Sequence, residues 1–133
     1  MKIDHEYLKG LLEAFECSDK PETDIQKLHD LGFSYQTPEF LFHMRLLDDR
    51  NLIARTDGDS GFGFFESADD GGSWALLPLR LTANGHDFLE AIRNKEVWKA
   101  LKTGFKDASI GTLVTVSKEL FNRILAKQLD KYI

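Results

Sequence analysis

The chain has little cysteine and no long apolar run. These two absences argue against two classes of protein, those held by internal disulfides and those that span a membrane. Cys17 is the single cysteine, so no disulfide can form within the chain. No uninterrupted apolar stretch approaches the ~20 residues that a membrane-spanning helix needs, so we expect no membrane partner. The first residues, Met1 to His5, lack the apolar stretch of a signal peptide, which predicts a cytoplasmic location.

The composition is that of one globular domain. The chain has 133 residues, of which 42% are hydrophobic and 29% charged. A chain of this length buries about two-thirds of the surface that its unfolded form exposes, so we expect it to fold alone. The net charge of −5 is unevenly spread. Residues 57–73 carry five acids and no base, whereas residues 86–133 carry nine bases against six acids.

Apolar residues recur at helical spacing in the N-terminal part of the chain. The pattern predicts helices over Ile3–Phe15, Thr23–Leu31 and Pro38–Arg50. Thr37 is a good N-cap for the third helix, because its hydroxyl can accept a free backbone N–H, and Pro38 suits the first helical position.

Two strands are predicted after the third helix. The first covers Leu52–Thr56, and the second runs from Trp74 to Leu81, where Pro78 indicates a sheet edge or a bulge. We expect the two to pair as a hairpin. The glycine-rich stretch between them, Asp57 to Ser73, contains part of an irregular strand at Phe62, Phe64 and Phe65.

Three further helices are predicted in the C-terminal part. Thr82 caps the fourth, Asn94 marks a bend before the fifth, and the last covers Leu113 to Tyr132. The last helix has a long apolar stripe, which is either the core side of a packed helix or a dimer seam. Its basic residues are the densest of the chain and form either a solvated face or a surface that a homodimer presents: Lys118, Arg123, Lys127 and Lys131.

The order of these elements predicts an α+β fold of the winged-helix type. Three helices are followed by a strand, a loop and a returning strand, and the hairpin would form the wing. We expect a winged-helix domain over residues 1–92 and a C-terminal helical extension over residues 93–133, which packs on the domain or forms a dimer.

Residues 40–53 resemble the recognition helix of bacterial winged-helix repressors. In those proteins a His-Leu-x-x-Leu core leads into a Gly-Leu-Ile strand start, and here His43-Met44-Arg45-Leu46-Leu47 is followed by Asn51-Leu52-Ile53. Met44 replaces the first leucine and Asn51 replaces the glycine. Met fills a core well, and Asn accepts the left-handed backbone that a helix end requires.

Residues 77–98 are similar to a family of phage and prophage proteins known as domain of unknown function twenty-five-thirteen. The shared pattern is Pro78-Leu79-Arg80-Leu81-Thr82, then Gly85-His86-Asp87-Phe88-Leu89, then a tryptophan helix at Trp98 and a C-terminal helix. The resemblance covers nearly the whole chain but departs in the wing, which is longer and more acidic here. It implies a winged helix and an association with mobile elements, and it implies no known activity.

The outward face of the third helix is the first candidate site. At 100° per residue it carries Glu39, Phe42, Arg45, Leu46 and Asp49, opposite a core stripe. Arg45 could read a base edge or a phosphate, but the acids oppose phosphate and the apolar pair suits a protein contact. Phe42 and Leu46 could instead pack against the C-terminal helices.

The wing is the second candidate site. Its acids are Asp57, Asp59, Glu66, Asp69 and Asp70. They either keep the hairpin edge from aggregating or attract a basic partner, with Phe62, Phe64 and Phe65 as anchors.

Two functions are compatible with these sites. The first is a small DNA-binding regulator of a phage or mobile element that contacts DNA through Thr37, Arg45 and Arg50, and it is placed first because winged helices so often bind nucleic acid. The alternative is a protein-interaction module that binds a host or phage protein through Phe42, Leu46 and the wing.

The remaining chemistry-bearing residues predict no enzyme. The scattered histidines, the lone cysteine and the glycine cluster match no metal, cofactor or catalytic pattern. We expect His43 to pack or to form hydrogen bonds within the core of the third helix rather than to bind a ligand.

Overall fold

A computed structural model describes residues 1–68 and 71–133 of the chain. Within these ranges the protein is α+β, as the sequence predicts, with six helices and four short strands. The wing acids Asp69 and Asp70 lie outside the described residues. The elements in chain order are α1 His5–Glu16, α2 Ile25–Asp30, α3 Pro38–Asp49, β1 Ile53–Arg55, β2 Phe64–Glu66, β3 Gly72–Trp74, β4 Leu79–Leu81, α4 Ala83–Arg93, α5 Lys95–Gly104 and α6 Ile110–Leu129.

The helix starts are set by side chains that accept a free backbone N–H. The predicted caps Thr37 and Thr82 are confirmed at α3 and α4. The predicted starts of the first and last helices are wrong by a few residues: Asp4 caps α1 rather than lying in its first turn, and Ser109 caps α6, which begins three residues before Leu113. A short oxygen-bearing side chain fixes a helix start more sharply than apolar periodicity does.

The second helix is shorter than predicted because its first residues make other contacts. Asp24 is the N-cap of α2, and Thr23 precedes it outside the helix. Thr23 and Leu79 exchange two backbone hydrogen bonds, of 2.7 and 2.8 Å, as an isolated antiparallel bridge. The segment between α1 and α2 therefore extends the sheet of β4.

The predicted hairpin has two parts. β1 pairs antiparallel with β4, with Ile53 opposite Leu81, which confirms the predicted pairing at the base. The prediction of one strand from Trp74 to Leu81 is wrong, because Trp74 belongs to β3, which pairs with β2 in a separate two-stranded sheet. Pro78 lies in the segment between β3 and β4, and its nitrogen has no hydrogen to donate to the hydrogen bonds of a sheet.

One hydrophobic core joins both parts of the chain. Leu11 of α1, Phe40 of α3 and Leu79 of β4 are fully buried in the same cluster as Leu89 of α4 and Leu113 of α6. The C-terminal helices therefore pack on the elements before residue 93. Among the described residues, no helix combines the length and the apolar character that crossing a membrane requires.

Candidate interaction surface on α3 and the β2–β3 hairpin

The two ends of α3 are fixed by Thr37 and by Asn51. The Thr37 hydroxyl accepts the Phe40 N–H at 3.3 Å and donates to the Ser34 carbonyl at 2.9 Å. At the other end, Asn51 adopts φ 56°, the left-handed conformation expected from its place after the helix. The proposed DNA contact Thr37 thus already uses its hydroxyl within the chain.

The outward face of α3 has the predicted composition. Glu39, Arg45 and Asp49 lie on it with Phe42 and Leu46, and the two apolar side chains are half-buried. The opposite side is fully buried at Phe40, Met44 and Leu47. The 100° periodicity therefore separates the two sides of this helix correctly.

Arg45 contacts two residues of β2. Its guanidinium donates to the Glu66 carboxylate at 2.6 Å and lies 5.7 Å from the centre of the Phe64 ring. Both partners are in β2, so the β2–β3 hairpin contacts the outward face of α3 at Arg45. The pair neutralises the one cation that the sequence analysis assigned to this face.

An aromatic cluster holds the hairpin against α3. The Trp74 ring lies 5.4 Å from the Phe40 ring, 5.0 Å from Phe64 and 5.8 Å from Phe62. Phe62 is only 8% exposed and Phe64 is half-buried, whereas Phe65 is 52% exposed. Of the three predicted wing anchors, Phe65 alone has most of its ring open to a partner.

Two acids of the loop before β2 share one cation within the chain. The Arg55 guanidinium donates to Asp57 at 2.6 and 2.9 Å and lies 3.5 Å from Asp59. The hydrogen bond from Arg55 lowers the pKa of the Asp57 carboxyl. These acids are therefore less available to a basic partner than the sequence suggests.

Phe42 and Leu46 line a groove beside the start of α6. This α3 groove has a volume of about 290 Å³. Its other wall is formed by the N-terminal segment and the α5–α6 loop, neither of which the sequence pattern places beside α3. Lys2 and Asp107 on its rim form an exposed ion pair of 3.5 Å, and Lys106 adds a further positive charge. The lining residues are Met1, Lys2, Ile3, Phe42, Leu46, Lys106, Asp107, Ala108, Ser109 and Ile110.

Arg50 is not part of this surface. It lines a different groove, between α4 and α6, and its guanidinium carbon lies 3.5 Å from the position that a Cβ atom on Gly111 would take. The structure therefore separates Arg50 from Arg45, with which the sequence analysis groups it.

His43 ties α3 to the N-terminus of α1. Its Nδ1 lies 2.7 Å from the Glu39 carbonyl oxygen, and its Nε2 accepts the Asp4 N–H at 3.1 Å. This pattern assigns the proton to Nδ1. Burial lowers the pKa of His43, against the opposing effect of the Glu39 carbonyl. The predicted structural role of His43 is confirmed.

Within residues 1–68 and 71–133, no group of three or more histidine, cysteine or carboxylate side chains could hold a metal ion. The α3 face therefore offers two features for recognition. They are an acidic surface around Glu39, Asp49 and Glu66, and the apolar α3 groove.

Comparison with known proteins finds one family and one relative. Residues 2–111 match the family described as Hypothetical protein (DUF2513). A protein of Haemophilus influenzae strain Rd, described as uncharacterized, is 26% identical over 129 residues, which cover 97% of this chain and 99% of that protein. No solved structure matches the chain.

Proposed function

The chain belongs to the DUF2513 family of hypothetical proteins, and from that premise we propose that it is a winged-helix protein-interaction module. Its α3 groove binds an apolar side chain of another protein, on a segment without an excess of acids. Thr82 and Gly85 belong to the family pattern. They lie at the start of α4, where the Thr82 hydroxyl accepts the Gly85 N–H, and not on the α3 face.

The winged-helix assignment is supported by the order and pairing of the elements. α1, α2 and α3 precede a hairpin, and the Thr23–Leu79 bridge adds a strand segment between α1 and α2. Helix-turn-helix variants with such a hairpin present their third helix outward.

The Arg45–Glu66 pair is the observation that carries the proposal of a protein partner. A DNA-reading helix needs free cations near phosphate, and the cation on this face is bound to a carboxylate. Glu39 and Asp49 lie on the same face, so a phosphate backbone would meet an excess of negative charge. A neutral or basic protein surface does not meet that repulsion.

The α3 groove indicates the chemistry of the partner. Phe42 and Leu46 offer apolar contact, which stabilises a complex in proportion to the area removed from water. The rim carries Lys106 and the Lys2–Asp107 ion pair. An apolar side chain on a segment without an excess of acids fits both this groove and the acidic surface around Glu39 and Asp49.

A DNA-binding regulator of a phage or mobile element is the second candidate. The observation that favours it is the position of Arg45, whose side chain remains 49% exposed and could exchange Glu66 for a phosphate or a guanine edge. The exposed pair with Glu66 is weak enough to open, at about 0.2–1 kcal/mol.

One pair of measurements separates the two functions. Fluorescence polarisation with mixed duplex DNA at low and moderate salt tests the regulator, which predicts binding that weakens steeply with salt and is lost in Arg45→Ala. Capture from a host lysate tests the module with Phe42→Ala and, as a control outside the α3 face and the wing anchors, Leu76→Ala, since Leu76 is 65% exposed. We expect no DNA binding, and a partner that is retained by wild type and Leu76→Ala and lost by Phe42→Ala. Salt-dependent DNA binding that Arg45→Ala abolishes would overturn the module.

A further inference from the structure

A second groove, between α4 and α6, is larger than the α3 groove. Its volume is about 390 Å³, and its floor is apolar at Phe88, Val114 and Phe121. None of these residues takes part in the α3 surface, so a role for this groove is independent of the proposed function.

The apolar floor continues along α6 beyond the body of the protein. Phe121, Leu125 and Leu129 recur at four-residue spacing and so share one side of the helix. Leu125 is 37% exposed and Leu129 is 59% exposed. The fully buried residues of α6 all lie in its first half, at Ile110, Leu113 and Ser117. In the second half, Leu120, Phe121 and Ile124 are half-buried against the core, whereas Leu125 and Leu129 form an apolar end that the described part of the chain leaves exposed.

The rim of the groove has balanced charge. Arg50 and Lys118 are positive, and Asp87 and Glu90 are negative. Across the described ranges none of the four makes an ion pair, although eight ion pairs occur elsewhere on the protein. The groove thus combines an apolar floor with two unpaired charges of each sign.

We propose that this groove is the interface of a homodimer, in which the second half of α6 from each copy lies in the groove of the other. A two-fold interface places the same patch of both copies face to face, so the patch must complement itself. The apolar floor meets the apolar side of the partner's α6, and the positive rim residues of one copy meet the negative rim residues of the other. A partner with charge of one sign would leave half of this rim unmatched.

The first test measures the mass of the full chain by sedimentation equilibrium. We expect twice the 15.2 kDa of one chain, and the mass of a single chain for Leu129→Asp. The matched control is Leu76→Asp, since Leu76 is 65% exposed and lies outside the groove; it should remain dimeric. A wild-type chain that stays monomeric at about 100 µM, where even weak specific dimers form, would overturn the proposal. So would a dimer that Leu129→Asp leaves intact.

The second test uses the rim charges. One variant carries Asp87→Lys and Glu90→Lys, so its rim is wholly positive, and another carries Arg50→Glu and Lys118→Glu, so its rim is wholly negative. Each alone should be monomeric because like charges face each other, and a 1:1 mixture should recover the dimer mass. Circular dichroism checks that both variants fold. A folded pair that stays monomeric when mixed would contradict the placement of the rim across the two-fold axis.

Discussion

The Arg45 guanidinium lies 2.6 Å from the Glu66 carboxylate, although 21 positions separate the two residues in sequence. The pair joins α3 to the β2–β3 hairpin over the face that the sequence assigns to recognition. It also changes the electrostatics of that face, because its cation is matched and its acids Glu39 and Asp49 are not. The interaction surface is therefore formed by residues of both α3 and the β2–β3 hairpin.

The coupling between Arg45 and Glu66 can be measured by a double-mutant cycle. We expect Arg45→Ala and Glu66→Gln each to lower the free energy of unfolding slightly, with a coupling of about 0.2–1 kcal/mol, since both side chains are largely exposed. Urea denaturation measures all four proteins. Raising the salt concentration should reduce the coupling, and a coupling of zero at low salt would show that the pair does not hold the hairpin.

Removal of the Trp74 ring should release the β2–β3 hairpin from α3. Trp74 contacts Phe40, Phe62 and Phe64, so we expect Trp74→Ala to lower the free energy of unfolding by about 2–4 kcal/mol. Limited proteolysis should then cut faster near residues 57–68.

Phe65→Ala is the matched control for that change. Phe65 neighbours the same cluster in sequence but is 52% exposed, so its loss should change stability by no more than about 0.5 kcal/mol. Equal effects of the two substitutions would contradict the docking of the hairpin through Trp74.

The buried His43 should make stability depend on pH below neutrality. Burial lowers its pKa in the folded protein, whereas the unfolded chain keeps the usual value of about 6.5. As pH falls below about 6.5, the unfolded chain binds the proton first, so stability is complete above that pH and is lost below it. The loss is at most about 1.4 kcal/mol for each pH unit between the two pKa values.

His43→Gln isolates this contribution. The variant keeps Asp4, Glu39 and Tyr7, which surround the ring, so the change removes only the imidazole. Unfolding free energies at about pH 7.5 and 5.5 should fall less in the variant than in wild type. The same fall in both would assign the pH dependence to other groups.

Gly85 should not tolerate a methyl group. A Cβ atom on this residue would lie 2.1 Å from the Leu52 carbonyl oxygen, because the start of α4 passes directly over the residue that precedes β1. We expect Gly85→Ala to lower the free energy of unfolding by about 3 kcal/mol, at the upper end of overpacking costs.

Gly104→Ala is the control for the helix-propensity part of this change. Nothing lies within 4 Å of the Cβ position at Gly104, the last residue of α5. That substitution should be neutral or stabilise by about 0.5–1 kcal/mol, since alanine loses less backbone entropy on folding. Thermal unfolding of both variants measures the difference, and a harmless Gly85→Ala would disprove the close approach.

The sequence is a good guide wherever the deciding atoms are a few residues apart. Thr37 and Thr82 start their helices, Asn51 ends α3, and the two sides of α3 are correctly separated. Each of these outcomes depends on a hydrogen bond or a backbone angle within one helical turn. The family resemblance around residues 77–98 likewise rests on adjacent residues, and it is confirmed.

The features that define the surfaces were decided by tertiary structure alone. The Thr23–Leu79 bridge, the Arg45–Glu66 pair and the position of Arg50 beside α6 each join elements that are distant in the chain. Periodicity shows that a helix has an apolar side, but it does not show which element covers that side. The apolar side of α6 is packed against the core up to Ile124 and exposed at Leu125 and Leu129. No local pattern of residues encodes that point, because coverage depends on where elements that are distant in the chain pack.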